Sequence, residues 1–149
     1  MDYLEIISLF VLGWVSGAES GSWACVHPVL NKLPPEQQII IQKGLLKTFG
    51  RVMPVLMPLS FILVTTLCIS TSPKNDVAFY LLLAATILMG SMLLTTILFN
   101  VPINIATSYW SDNNLSADWK KKRKRWRFFQ GYRSIILVLS FVLVIISAN

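Results

Sequence analysis

Four long, mostly apolar stretches, two of them uncharged and two with a single charged residue each, constrain this chain more than any other feature of its sequence. A hydrocarbon core of about 30 Å takes about 20 helical residues to cross. The chain has 149 residues, of which only 13% are charged, against about 25% in soluble domains. The sequence therefore predicts one all-α integral membrane domain, 1–149, a four-helix bundle with spans at about 6–28, 52–72, 77–100 and 128–148.

The connections between these spans are amphipathic or basic. The segment 33–51 begins with Leu-Pro-Pro-Glu and alternates apolar with polar side chains, which predicts an interfacial helix before span two. The basic run 120–127 predicts a cytoplasmic extension of span four, with Ser116 as its N-cap. Pro102 marks the point where span three either breaks or projects beyond the core.

The distribution of Lys and Arg sets the expected orientation. None precedes span one or follows span four, four lie between spans one and two, and eight lie between 120 and 133. Because basic loops stay on the cytoplasmic side, both termini are expected to be extracytoplasmic. The net charge of +6 is then matched by anionic lipid headgroups rather than by nucleic acid.

Span one contains one carboxylate, Glu19, and one imidazole, His27. At 100° per residue the two lie about 80° apart on the helix. An ionisable group inside a span is expensive unless it is paired or functional. Glu19 is predicted either to accept a proton or ligate a metal, or to pair with a buried arginine, Arg123 or Arg133 of the last helix. His27 is predicted to be either catalytic or an interfacial capping residue. Glu19 and His27 are the only metal-ligand candidates and fall short of a familiar ligand set, and no cofactor motif is recognisable.

The same helix carries a seam of small residues. Gly13, Gly17 and Gly21 recur at four-residue spacing, which favours close packing of helices. The seam is expected either to pack inside the bundle or to join two protomers in a homo-oligomer.

The fourth helix carries the sharpest pattern. Five of its residues fall within a stripe about 80° wide over four turns, and most of the other bases point elsewhere; the five are Trp119, Arg123, Trp126, Gln130 and Arg133. The stripe either faces a substrate-binding site or forms an interfacial aromatic anchor.

Span three ends in Asn100-Val-Pro-Ile-Asn104. These amides either bridge helices or bind oxygens of a ligand. Arg51, at the start of span two, is expected either to snorkel into the interface or to belong to the site. In the expected topology these groups, Glu19 and the stripe converge at the cytoplasmic side, which predicts one polar pocket for a hydrophobic small molecule.

The residues that carry these patterns resemble a known family. The chain resembles the small four-helix membrane proteins of the anthrone oxygenase-like family in four features. These are Glu19 in a Gly-rich first helix, Pro28, the Asn100–Asn104 motif and the pattern Trp119-x3-Arg-x2-Trp-x3-Gln-x2-Arg133. The resemblance covers about Gly17 to Arg133. Gln130 stands where a His or Asn is expected in many relatives.

The resemblance implies that the protein is a monooxygenase, an oxidoreductase that converts an anthrone-type or quinol-like aromatic substrate to a quinone with O2, without a flavin or haem motif. On this reading Glu19 or His27 removes a C–H proton. Arg123 and Arg133, with Asn100 and Asn104, would stabilise the enolate oxygen, and the tryptophans would stack on the rings. The alternative is a non-enzymatic membrane protein that binds a lipid or quinone, or a structural subunit of a membrane complex.

Overall fold

The computed structural model describes residues 2–71, 76–111 and 117–148. Ser116, and Ser72 at the expected end of span two, lie outside these residues. The described chain forms six α-helices and two π-helical segments, in the order α1 (Tyr3–Gly21), first π segment (Ser22–Val26), α2 (His27–Leu30), α3 (Pro35–Ser70), α4 (Val77–Thr95), second π segment (Thr96–Asn100), α5 (Val101–Ser108) and α6 (Trp119–Ser147).

These elements join into four continuous helical spans, long and apolar enough to cross a membrane. They run Tyr3–Leu30, Pro35–Ser70, Val77–Ser108 and Trp119–Ser147. Many large apolar side chains point outward, as in Phe10, Ile62 and Ile87. In water this apolar surface would be exposed to solvent, whereas in a bilayer the lipid chains cover it. The protein is therefore an all-α, multi-pass membrane protein, as the four apolar stretches predict.

The interfacial segment and span two form a single helix, α3. It runs through Pro54 and Pro58 over 36 residues, a length of about 54 Å. Membrane helices tolerate such prolines because neighbouring groups satisfy the freed carbonyls. The N-terminal half of α3 thus projects beyond a hydrocarbon core of about 30 Å, and its buried face continues that of the spanning half.

The π segments stand immediately before two prolines. The amide of His27 donates to the carbonyl of Ser22, and the amide of Val101 donates to that of Thr96. Pro28 and Pro102 follow directly. Because a proline cannot donate and its ring crowds the carbonyl four residues earlier, the wider π turn lets each helix continue. Span three accordingly projects past Pro102 instead of breaking there.

The packing of the four spans sets where a cavity can form. α1 packs against α3 and α6, and α4 packs against the same two helices. α3 and α6 therefore lie diagonally across the bundle. Much of the centre is closed by large apolar side chains; the largest fully buried ones are Leu12, Val15, Val64, Met89, Met92, Leu137 and Val144.

Two glycines allow close approach between α6 and span one. A Cβ on Gly13 would lie 3.0 Å from the ring of Phe141, and one on Gly131 would lie 2.8 Å from Nε1 of Trp23. The seam therefore serves packing inside the bundle at Gly13. Gly17 and Gly21 have no described atom within 4 Å of such a Cβ, and the homo-oligomer stays a prediction.

The orientation of the bundle is a testable prediction. In a variant with Cys25 and Cys68 replaced by Ser, Ala148→Cys is expected to react with a membrane-impermeant maleimide in intact cells. Lys121→Cys is expected to react only after permeabilisation, because the basic start of α6 should remain cytoplasmic. The reverse labelling pattern would overturn the positive-inside assignment.

Candidate functional site

A buried ion pair joins the first and last spans. Arg133 donates to Oε2 of Glu19 from Nη2 at 2.8 Å and from Nε at 3.1 Å. Gln130 donates to the same oxygen from Nε2 at 2.6 Å. Glu19 is only 1% exposed, so its charge depends on these donors. The predicted pairing of Glu19 with an arginine is confirmed, and its partner is Arg133.

Further hydrogen bonds hold this pair in place. Arg133 also donates from Nη2 to Oε1 of Gln130, one turn earlier on α6. The hydroxyl of Ser134 lies 3.1 Å from the carbonyl oxygen of Glu19 and 2.9 Å from that of Gln130. Three buried side chains of α6 thus hold α1 through the carboxylate and the backbone carbonyl of Glu19: Gln130, Arg133 and Ser134.

A cavity of about 350 Å³ opens beside the ion pair. This volume lies in the usual range for small-molecule sites. Its wall on the side of α6, α1 and α2 carries polar groups, including Glu19, Ser22, His27, Arg123, Gln130 and Arg133. Its wall on the side of α3 and α4 is mostly apolar, with Leu45, Leu46, Phe49, Met53, Met57 and Leu93. The cavity can therefore hold an apolar body with oxygen atoms at one end.

Several buried polar atoms at this cavity lack partners. Within the described part of the chain, no hydrogen bond reaches Oε1 of Glu19, Nδ1 of His27, Nε2 of Gln42, or Nε and Nη2 of Arg123. All four residues are buried and line the cavity. Buried polar groups without partners are costly. They present a carboxylate oxygen, an imidazole nitrogen and several N–H donors to whatever enters the cavity.

Trp126 is the centre of the polar wall. Its ring lies 4.8 Å from the ring of His27, and Cζ of Arg123 lies 4.4 Å from its centroid. Its indole Nε1 donates to Oδ1 of Asn104 at 2.6 Å, and its carbonyl accepts from Nδ2 of Asn100 at 3.4 Å. The two amides of span three therefore fix the tryptophan that supports both His27 and Arg123.

Most of the residues predicted for the site come together. Seven of them line the cavity: Glu19, His27, Asn104, Arg123, Trp126, Gln130 and Arg133. Arg51 is exposed, as its predicted interfacial position requires.

Two residues of the predicted site lie elsewhere. Asn100 is buried behind Trp126 and is not among the described residues that line the cavity. Trp119 begins α6 one turn before Arg123, where its ring lies 6.4 Å from that of Trp110. The cavity wall does not include it, so its expected contact with a ligand has no counterpart there. Trp119 lies four residues before Arg123, about 6 Å further along the helix, and so beyond the end of the cavity.

The predicted stripe separates two groups of cations. Arg123 and Arg133 are buried, whereas Lys120, Lys121 and Lys124 are exposed. This is the arrangement that the helical spacing of the C-terminal helix predicts.

Sequence reasoning missed the contribution of α3. Gln42, Phe49, Met53 and Met57 all line the cavity. At 100° per residue they fall within about 80° of one another, on one face. That face becomes visible only when the interfacial segment and span two are treated as one helix.

No group of three or more His, Cys, Asp or Glu side chains comes together within the described ranges. Glu19 and His27 stay the only predicted metal-ligand candidates. Among the described cysteines, Cys25 is exposed and Cys68 is buried.

These features define a four-helix membrane protein with a buried ion pair beside an internal cavity. The sequence model of one family, described as anthrone oxygenase, matches residues 46–143, about two thirds of the chain. The protein therefore belongs to the anthrone oxygenase family. Comparisons with curated proteins and with solved structures give no match. The matched segment contains Asn104 and the cavity-lining residues of α6, while Glu19 and His27 precede it.

Proposed function

We propose that this protein is a membrane-embedded oxygenase that oxidises a flat, lipophilic anthrone-type substrate with O2 in the cavity between α3 and α6. Family membership supports the reaction class. The observation that carries the assignment to this cavity is the pair of unpartnered groups on its polar wall, Nδ1 of His27 and the Nε–Nη2 edge of Arg123. One is an acceptor for a proton and the other is a donor for a developing oxyanion.

The reaction needs little beyond proton transfer and charge stabilisation. Loss of a proton from the CH2 opposite the ketone gives a carbanion that is conjugated with the carbonyl, so the charge resides largely on oxygen. Attack of the carbon on O2 forms a C–O bond and, after protonation, a hydroperoxide. Elimination of water leaves a second ketone, so that CH2 and O2 become C=O and H2O.

Three side chains of the cavity have separate roles in this reaction. His27 takes the C–H proton at Nδ1. Arg123 holds the ketone oxygen as it becomes an enolate, with its guanidinium supported by Trp126. Oε2 of Glu19 already accepts from Arg133 and Gln130, which assigns Glu19 chiefly to positioning α6. Its Oε1 is left to accept a hydrogen bond from a substrate hydroxyl.

His27→Asn tests this assignment. The amide keeps a polar group at the site but cannot act as a general base, so kcat/KM for an anthrone is expected to fall about 10²–10⁴-fold. The measurement is O2 uptake and quinone formation by purified protein, after subtraction of spontaneous oxidation. Cys25→Ser, two residues earlier and exposed, should leave the rate unchanged.

Two results would contradict the proposal. Full activity of folded His27→Asn would remove His27 as the base. Binding of an anthrone by the wild-type protein without O2 uptake would favour the non-enzymatic alternative, a carrier of a lipid or quinone in the same cavity.

A further inference from the structure

The cavity has a mouth, and the lining residues that are exposed at the outer surface show where it lies. Among the described lining residues, four are also exposed at the outer surface: Gly50, Pro54, Ile97 and Val101. Ile97 is 62% exposed and Val101 40%. All four belong to α3 or to the end of span three. The described lining residues of α1, α2 and α6 are all buried, so the polar wall is the closed end of the cavity.

The packing of the helices explains why the mouth lies there. α3 packs against α1, α4 and α5, and the cavity lies between α3 and α6. The second π segment widens span three at Thr96–Asn100, beside the exposed face of Ile97. The gap is thus bounded by Gly50 and Pro54 on one side and by Ile97 and Val101 on the other.

The mouth is apolar, and it lies at the depth of the membrane surface. None of its four bounding side chains has a charge or a polar atom. Gly50 precedes Arg51, the last base before the uncharged part of α3, and Ile97 lies 20 residues after Val77, or about 30 Å along the helix. The mouth therefore lies at the boundary between hydrocarbon and headgroups, where amphipathic aromatic rings accumulate.

We infer that the cavity takes its ligand sideways from the bilayer, through a portal between α3 and the end of span three, and that the missing side chain of Gly50 keeps this portal open. The inference rests on the proposed function in that the ligand is a lipophilic ring system. A ring system that enters polar end first brings its oxygen atoms to His27 and Arg123, and its apolar body then lies along Phe49, Met53 and Met57 of α3.

The glycine at the portal can be tested with a matched control. A Cβ on Gly50 would meet no described atom within 4 Å, and the same holds for Gly44 on the same helix. Both glycines are exposed, but only Gly50 lines the cavity. There is room for a Cβ at both positions, so Gly50→Phe adds an aromatic ring at the mouth, while Gly44→Phe makes the same change of side chain away from it.

Binding of anthraquinone, followed by quenching of tryptophan fluorescence in proteoliposomes, gives a readout that needs no turnover. Gly50→Phe is expected to lower both the association and the dissociation rate at least tenfold, with Kd changed less than threefold, because a gate alters rates more than the bound state. Val101→Phe, on the opposite rim, should repeat this effect. Gly44→Phe should match the wild-type protein.

The outcomes separate the two proposals. If the wild-type protein binds anthraquinone and all three variants associate at the wild-type rate, the lateral portal is wrong while the proposed function stands. If the wild-type protein does not bind anthraquinone, both the proposed function and the portal fail.

Discussion

Arg133→Gln is expected to destabilise the folded bundle by about 3–5 kcal/mol, the usual cost of breaking a buried ion pair from one side. The change removes two of the hydrogen bonds to Oε2 of Glu19, at 2.8 and 3.1 Å. It leaves a carboxylate that is 1% exposed with Gln130 as its remaining side-chain donor in the described structure. Reversible unfolding in mixed micelles measures the loss.

Two further variants identify the cause of that loss. Arg51→Gln makes the same change of charge at an exposed position and should alter the unfolding free energy by less than about 0.5 kcal/mol. The double variant Glu19→Gln/Arg133→Gln removes both charges, so it should be more stable than Arg133→Gln alone. Equal stability of Arg133→Gln and Arg51→Gln would show that the ion pair contributes nothing measurable to folding.

The four spans could be predicted from the sequence because a backbone inside lipid can adopt few structures other than a helix. A backbone in hydrocarbon must satisfy its own hydrogen bonds, so long uncharged stretches become helices. The ends of those helices are less constrained. Nothing between the interfacial segment and span two stops the helix, and α3 runs from Pro35 to Ser70. The π segments before Pro28 and Pro102 depend on how each chain accommodates a proline, which hydropathy does not report.

The polar half of the site could also be predicted from helical spacing. Arg123, Trp126, Gln130 and Arg133 share one face of α6, and that face is buried. The partner of Glu19 could be narrowed to Arg123 or Arg133 but not chosen, because the choice depends on the rotation of α1 against α6. The place of Gln42 in the site could not be predicted, because its burial depends on the interfacial segment and span two forming one continuous helix, α3.

The two buried arginines differ in their partners. Arg133 holds Glu19, whereas Nε and Nη2 of Arg123 have no partner within the described residues. Arg123→Gln removes a buried charge that no carboxylate pairs with in the described structure, but it also removes the contact with Trp126. Because these two effects oppose each other, the stability of the bundle is expected to change little. The same change should lower kcat/KM for an anthrone about 10²–10³-fold, the usual loss for one donor to a developing oxyanion. Thermal unfolding and O2 uptake on one preparation measure both effects.

The control removes charge from the outer face of the same helix. Lys120, Lys121 and Lys124 are exposed and suit it better than Lys122, which pairs with Asp118 at 3.2 Å, or Arg125, which lies 4.9 Å from the ring of Phe99. Changing all three to Gln should weaken attraction to anionic lipid but spare the rate per folded molecule. Equal losses of kcat/KM in this variant and in Arg123→Gln, at matched expression, would mean that α6 acts through its charge at the membrane surface and that Arg123 does not contact the substrate.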